Sequence, residues 1–289
     1  MGRDLLAGAT DDATRAALRA RVTVRTLGTA DEISQARAIW DAVWPTVPGA
    51  TEVTQNFVRA ILHAGGYVAG AFDGPRMVGA CLAIVGRSKG DAGWHTYLRS
   101  HLLAALPGFA DRGTGTALKL HQRAWALDQG IDRIAWTFDP LVRRNGRLNL
   151  MKLGGVGVEY LVDFYGAMSD ALNVGDPSDR LLLQWDIASA RVADALGGHA
   201  SDRSAEQWRA LGATDLLVAT AAGPRMRPIG SGPVLVAVPE DIVGIRRADP
   251  GLAAQWRLQV RAALEPLLRA GGRVSALTTD GSYVVEVRP

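Results

Sequence analysis

The sequence predicts a mixed-sheet α/β fold, and three observations carry that expectation. From residue 67 to residue 106 the apolar pattern has the period of strands, broken by the turn Asp73-Gly74-Pro75, and reads as an antiparallel meander. Between residues 107 and 138 the order becomes strand, glycine-rich loop, helix, strand, as in a parallel pair joined by a crossover. Leu252, Trp256, Val260, Ala263, Leu264 and Leu267 then form the apolar stripe of a long helix. A mixed sheet with flanking helices satisfies all three.

Taken in order, Thr10 is expected to cap a helix over residues 11–20, whose first turn is acidic. Residues 22–27 alternate as a strand does. Ile33, Ala36, Trp40 and Val43 recur at helical spacing, and Pro45 and Pro48 stop that helix. A further helix begins near Thr51, places Val53, Phe57, Ala60 and Ile61 on one face, and ends at Gly65-Gly66. Strands over 67–72 and 77–85 follow, then a Ser/Lys/Gly-rich loop at about 87–93 and a strand from about 97 to 106. Ala117, Leu120, Ala124 and Leu127 share a helix face that Gly130 terminates. Residues 133–138 read as a strand, 143–153 as a helix, and 156–165 and 181–187 as strands. Beyond Arg191 the pattern loosens around Gly197, Gly198, Gly212, Gly223 and Pro224. A capping box at Ser204 and Gln207 opens a short helix, residues 233–238 form a strand, and Asp249-Pro250 starts the long helix. Gly271-Gly272 closes it before two short strands near Val274 and Tyr283. The expected organisation is a main domain over residues 1–190 and a small α/β extension over 191–289 packed on it.

Composition narrows the function. Of 289 residues, 48% are apolar and 21% charged, the balance of a soluble enzyme. The net charge of +3 is spread along the chain without a basic stripe, so no nucleic-acid partner is expected. No stretch approaches the roughly 20 apolar residues that span a bilayer. The first residues lack a signal peptide's apolar run, and Leu6 stands where myristoylation needs Ser or Thr, so no membrane attachment is expected. Cys81 is the single cysteine; it excludes an internal disulfide and a cysteine-based zinc site, and favours the cytoplasm.

The informative segment is Pro107-Gly108-Phe109-Ala110-Asp111-Arg112-Gly113-Thr114-Gly115-Thr116-Ala117-Leu118. Glycines let backbone N–H groups converge, and a helix starting at once adds its partial positive charge, which together suit a phosphate or pyrophosphate. A Walker loop would end Gly-Lys-Ser/Thr, whereas this one runs Gly115-Thr116-Ala117. A dinucleotide fingerprint would need a third glycine where Leu118 stands, and a tighter turn than the residues between Leu106 and Gly113 allow.

Residues 107–118 resemble the acyl-CoA-binding motif of the GNAT superfamily, Gln/Arg-x-x-Gly-x-Gly/Ala at a helix start. Gly113 and Gly115 match, Arg112 supplies the frequent basic residue, and Ala110 replaces the first Gln/Arg. Asp111 places a carboxylate beside the presumed phosphates and weakens their attraction. Gly65-Gly66, Ala71-Phe72-Asp73-Gly74, Ser100-His101, Trp136-Thr137-Phe138-Asp139-Pro140-Leu141, Arg144-Asn145, the Asn149 to Gly154 run and Asn173 extend the resemblance over about residues 20–190, to a subgroup that includes amino-acid N-succinyltransferases.

The resemblance implies a central, mostly antiparallel sheet with one splayed parallel strand pair, and transfer of an acyl group from acyl-CoA to a primary amine. It implies that Arg112, Gly113, Thr114, Gly115, Thr116 and Ala117 hold the donor phosphates, that the backbones of Leu103 and Ala105 bond the pantetheine arm, and that Asn145 assists. Direct attack of the amine on the thioester needs a base and an acid. His101 and Asp139 are the candidate bases; Leu150 occupies the usual tyrosine acid position, which leaves Asn149 to bond the leaving thiolate. Arg257 and Arg261, four apart on the last helix, suit an acidic acceptor or acyl carboxylate. Acyl-CoA is thus the expected donor and no metal is expected. The acceptor is a small-molecule or peptide amine, and a homodimer is compatible. Two alternatives stand beside this reading: an acyl carrier protein as donor, and a non-catalytic acyl-CoA-binding module.

Overall fold

The structure is a computed structural model that describes residues 2–44, 51–90, 93–166, 177–199 and 202–287. Pro45, Pro48 and Asn173 lie outside the described residues. The chain divides into two compact units, one of residues 1–136 with the short return 186–188, the other holding most of what remains.

In the first unit, α1 (Arg3–Ala20) precedes β1 (Thr23–Thr26), α2 (Ala30–Val43) and α3 (Gln55–His63). Strands β2 (Tyr67–Asp73), β3 (Arg76–Gly90) and β4 (Gly93–Ala105) lead to α4 (Thr114–Asp128) and β5 (Arg133–Phe138), whose last two residues belong to the other unit. Neighbours run β1-β2-β3-β4-β5, all antiparallel except the parallel β4–β5 pair. This mixed sheet with flanking helices is the predicted fold class.

Two helices cover one face of that sheet. Ile33, Ile39 and Trp40 of α2 and Val58 and Ile61 of α3 pack with Val68, Leu82, Leu102 and Ala104. The other face carries α4, and α1 lies on α4 through an alanine stripe, Ala9, Ala13, Ala16 and Ala20. With helices on both sides, the first six residues of β2 are all buried, which is why alternation is muted there.

Local chemistry sets the ends. The helix expected to start at Thr10 begins at Arg3, and the Thr10 hydroxyl bonds the Leu6 carbonyl within it. α2 opens on a capping box: Thr29 Oγ1 accepts from Glu32 N, and Glu32 Oε2 accepts from Thr29 N and Gly28 N. Those bonds and Arg25 hold the Glu32 carboxyl down at about 2. Thr29→Ala is expected to lower stability by about 1 kcal/mol in a urea melt, with an unchanged slope. α3 is capped by Thr54, not Thr51, and leaves Phe57 exposed. Of the loop expected at about 87–93, residues 87–90 and 93 are paired strand instead, with Ser88 opposite His95 and Lys89 opposite Trp94, while residues 91 and 92 lie outside the described residues.

In the second unit the strands are ordered β7-β6-β11-β12-β10-β8-β9. Its strands are β6 (Val156–Leu161), β7 (Arg180–Asp186, whose last residue belongs to the first unit), β8 (Thr214–Thr220), β9 (Gly223–Met226), β10 (Val234–Ala237), β11 (Arg273–Leu277) and β12 (Ser282–Glu286). Its helices are α5 (Arg143–Gly146), α6 (Ala190–Leu196), α7 (Ala205–Ala210), α8 (Ile242–Ala248) and α9 (Pro250–Arg269), the last lying along β6 and β9. The helix expected over 143–153 is four residues of α5 followed by a wider turn of π type, Arg147–Lys152.

The first compact unit ends its main run at residue 136. Gly157 of β6 pairs with Val274 of β11, so residues after 136 share a sheet with the C-terminal segment. Among the described residues no helix is long and apolar enough to cross a membrane.

Candidate active site

β4 carries a bulge. Leu102 stands opposite Leu82, but Ser100 stands opposite Ala83, so His101 is the extra residue. The bulge changes which side chains face which helix. Ser100 meets α4 through Lys119, and Leu103 meets α4 at Gly115, whereas Leu102 and Ala104 face α2 and α3. His101 is exposed, and partial desolvation, helped by Arg99, lowers its imidazole pKa. Its neutral form is the one that can accept a proton.

Next to the bulge, β4 runs parallel to β5 with Leu98 opposite Ile134 and Arg99 opposite Ala135. On its other side the Leu106 N–H donates to the Val78 carbonyl of β3 at 2.9 Å. Strand alternation then turns the amides of Leu103 and Ala105 away from β3. Both residues are half-buried.

The loop after β4 closes on itself. Thr114 Oγ1 donates to the Phe109 carbonyl at 2.9 Å, and the Arg112 guanidinium stacks 4.6 Å from the Phe109 ring centre. Gly113 is the N-cap of α4 with φ +92°, a conformation that only glycine adopts without strain, and the Cβ of Ala20 stands nearby. No side chain caps this helix, whereas α2, α3, α6, α7, α8 and α9 each have a Ser, Thr or Asp cap. The first amides of α4, at Thr114, Gly115 and Thr116, thus meet no side-chain acceptor.

Gly115 sharpens this. Its backbone is ordinary for a helix, and a Cβ there would make only a normal contact, 3.5 Å from Leu103 Cδ2. Glycine inside a helix costs roughly 0.5–1 kcal/mol relative to alanine, and nothing in the surrounding protein demands it. Thr114 and Ala117 are buried, the Ala117 N–H donating to the Gly113 carbonyl at 3.0 Å, while Gly113, Gly115 and Thr116 are half-buried and Asp111 and Arg112 are exposed.

Asp139 is not the base that the sequence suggested. Its two oxygens accept from Arg257 at 2.9 and 3.0 Å and from Arg246 at 2.6 Å. Burial alone would raise its pKa, but the two guanidiniums hold it down at about 2. A carboxylate so held does not take a proton at neutral pH. The same bonds correct the expectation for Arg257, which is occupied by Asp139, and for Arg261, which pairs with Asp179 at 2.8 and 2.9 Å. Both arginines serve carboxylates of their own unit.

Asn149 is buried in the π-type turn, its carbonyl accepting from the Gly155 N–H, and Leu150 beside it is buried. Asn145 is half-buried in α5, its N–H donating to the Val142 carbonyl. Both lie in the second unit.

Sequence reasoning passed over Lys119 of α4. Its Nζ donates to Ser100 Oγ at 2.8 Å and lies 3.6 Å from the ring centre of Trp136. The available signal was its type, since the chain has three lysines within a Lys+Arg total of 32.

No family model matches the chain, and no curated protein sequence matches it. Among solved structures, it is similar to the ribosomal-protein-S18-alanine N-acetyltransferase of Escherichia coli, at 13% identity and a TM-score of 0.43 over 58% of this chain and 96% of that one. An acetyltransferase of the GNAT family from Streptococcus pneumoniae matches at 15% identity and a TM-score of 0.43, over 56% and 98%. An aminoglycoside acetyltransferase from an uncultured soil metagenomic sample, in complex with sisomicin, matches at 15% and 0.36, over 41% and 78%.

Proposed function

We propose that the protein is a GNAT-type N-acyltransferase that moves an acyl group from an acyl-CoA thioester to a primary amine. The observation that carries this reading is the start of α4: a left-handed glycine N-cap, no side-chain cap, and a glycine at residue 115 that packing does not require. Such a helix end presents amides and a partial positive charge to an anion, and a phosphate can approach Gly115 closely. The bulged strand that feeds the loop suits the rest of the donor.

In this reading the amides of Thr114, Gly115 and Thr116 take the donor phosphates, and Arg112 adds charge from the loop. The backbones of Leu103 and Ala105 hold the pantetheine arm, and an amide on this edge polarises the thioester carbonyl. His101 removes a proton from the acceptor ammonium. The freed amine attacks the carbonyl carbon, the tetrahedral intermediate collapses with loss of the C–S bond, and the thiolate takes up a proton. The products are an amide and free CoA thiol. Asn145 and Asn149 enter only as polar groups that the resemblance places near the leaving sulfur. The acceptor is a small-molecule or peptide amine.

The test is thiol release from acetyl-, succinyl- and longer acyl-CoA mixed with a panel of amines, alongside an acylated carrier protein. Turnover with a CoA ester supports the reading; turnover with the carrier protein alone shifts the donor. Binding without turnover across the panel leaves an acyl-CoA-binding module. His101→Ala is expected to lower kcat about 10²–10⁴-fold while stability stays within about 0.5 kcal/mol, because the side chain is exposed. An unchanged kcat removes His101 as the base.

A further inference from the structure

Among the described residues the buried cations are Lys119, Arg123, Arg180 and Arg257. Arg123 meets Asp12, and Arg257 meets Asp139. Unlike Arg123 and Arg257, Lys119 meets neutral partners: Ser100 Oγ at 2.8 Å, Gln122 Oε1 at 3.4 Å and the face of Trp136. It differs also in kind. Arginine keeps its proton under any condition a protein meets, whereas lysine in an apolar site gives its proton up readily. A chain so rich in arginine has placed at this one point a cation that can become neutral.

The position is informative. The parallel pairing of β4 with β5 joins Leu98 to Ile134 and Arg99 to Ala135. Ser100 is the next residue on β4 and Trp136 the next on β5, so the Lys119 Nζ touches both strands just beyond these two pairs, at the fork of β4 and β5. Immediately beyond Ser100 comes the bulge at His101.

We propose that Lys119 is a positioning residue for the fork of β4 and β5, holding Ser100 and Trp136 in one arrangement as an ammonium and in another as a neutral amine. As an ammonium it donates to Ser100 and Gln122 and is drawn to the Trp136 face. As an amine it loses that attraction, and its single lone pair accepts either from the Ser100 hydroxyl or from Gln122 Nε2, a buried donor with no partner that can turn toward the nitrogen while Ser100 Oγ keeps accepting an amine N–H. The ammonium state leaves Gln122 Nε2 unpaired and the amine state can offer it an acceptor, so each state satisfies groups that the other does not.

The groups that face Lys119 leave it free to titrate. β3 brings Cys81, whose thiol burial pushes up to about 12. β2 brings Tyr67, bonded to His121 of α4, and β4 brings Arg99. The acid on α1, Asp12, is paired with Arg123 and does not act on the lysine. Burial first, and Arg99 after it, push the lysine down to about 7, with Cys81 opposing. The folded pKa thus lies below the ordinary lysine value near 10.4, and stability from this group rises with pH between about 7 and 10. A merely buried lysine would do that much; movement of the fork is the further claim.

The consequence for catalysis rests on the acyltransferase reading, since the fork leads to His101 and to the donor edge at Leu103 and Ala105. The test uses the whole protein labelled with ¹³C-lysine, which gives three side-chain signals, two from the exposed Lys89 and Lys152. One signal is expected to titrate near pH 7 and to vanish in Lys119→Met. The backbone amides of Ser100 and His101 should shift with the same midpoint, and lose that transition in both Lys119→Met and Lys119→Arg. KM for acetyl-CoA should change several-fold across that midpoint in the wild type and stay flat in Lys119→Met. Three lysines titrating together near 10 overturn the proposal, as do Ser100 and His101 shifts that persist in the variants. Should Lys119→Met fail to fold, the wild-type titration and Lys119→Arg still decide it. Absence of any acyl-CoA turnover sinks the acyltransferase reading, while the lysine and amide titrations continue to test the fork.

Discussion

Asp139→Asn is expected to cost about 3–5 kcal/mol in a denaturant melt. The substitution keeps the shape and removes the charge. Arg257, only 1% exposed, is then left buried without its anion, and Arg246 loses its 2.6 Å partner. Breaking one side of such a pair costs far more than the pair contributes, because the remaining charge has no route to water. The pH dependence has a definite sign. Since the folded carboxyl titrates at about 2 and an unfolded one near 3.9, its stabilisation is complete above about pH 5 and is lost as pH falls toward 2. Asp139→Asn should flatten that part of the acid limb. Unchanged stability with abolished turnover would instead restore Asp139 as a catalytic base.

Gly115→Asp separates helix stability from donor binding, because it drives them in opposite directions. An acid in the first turn interacts well with the helix dipole, and replacing glycine removes an entropic cost, so stability should rise by roughly 1 kcal/mol. The new side chain meets nothing closer than Leu103. Two like charges about 4 Å apart at an effective dielectric near 20 repel by roughly 4 kcal/mol. A phosphate-bearing donor should therefore bind at least about 100-fold more weakly, read by calorimetric titration with CoA. Affinity within twofold of wild type would show that the start of α4 is not where the phosphates sit.

How much was legible in advance differs between the two units. The order of elements through residue 138 could be read because each is local: Trp40 and Ile33 recur at helical spacing, and Asp73-Gly74 marks a tight turn. The loop at Gly113 and Gly115 was legible for the same reason, since turn chemistry is written in adjacent residues. The bulge at His101 was not, because register depends on which residue of β3 stands opposite. The pairing of Gly157 with Val274 was not legible for a related reason: it joins residues far apart in sequence. Asp139 shows the general case. A carboxylate at a strand end reads equally as a base or an ion-pair partner, and Arg246 and Arg257 decide between them from more than 100 positions away.

The alanine stripe of α1 bears on synthesis of the chain. α1 leaves the ribosome well before α4, on which it lies and which begins roughly 90 residues later, an interval of about 5–18 s at ordinary elongation rates. Throughout that time its inner face stays unpaired. Alanine exposes little apolar area, so a face built from Ala9, Ala13, Ala16 and Ala20 offers a poor grip to other nascent chains and to holdase chaperones. Leucines at these four positions would hold α4 harder in the finished protein and make the waiting segment adhesive.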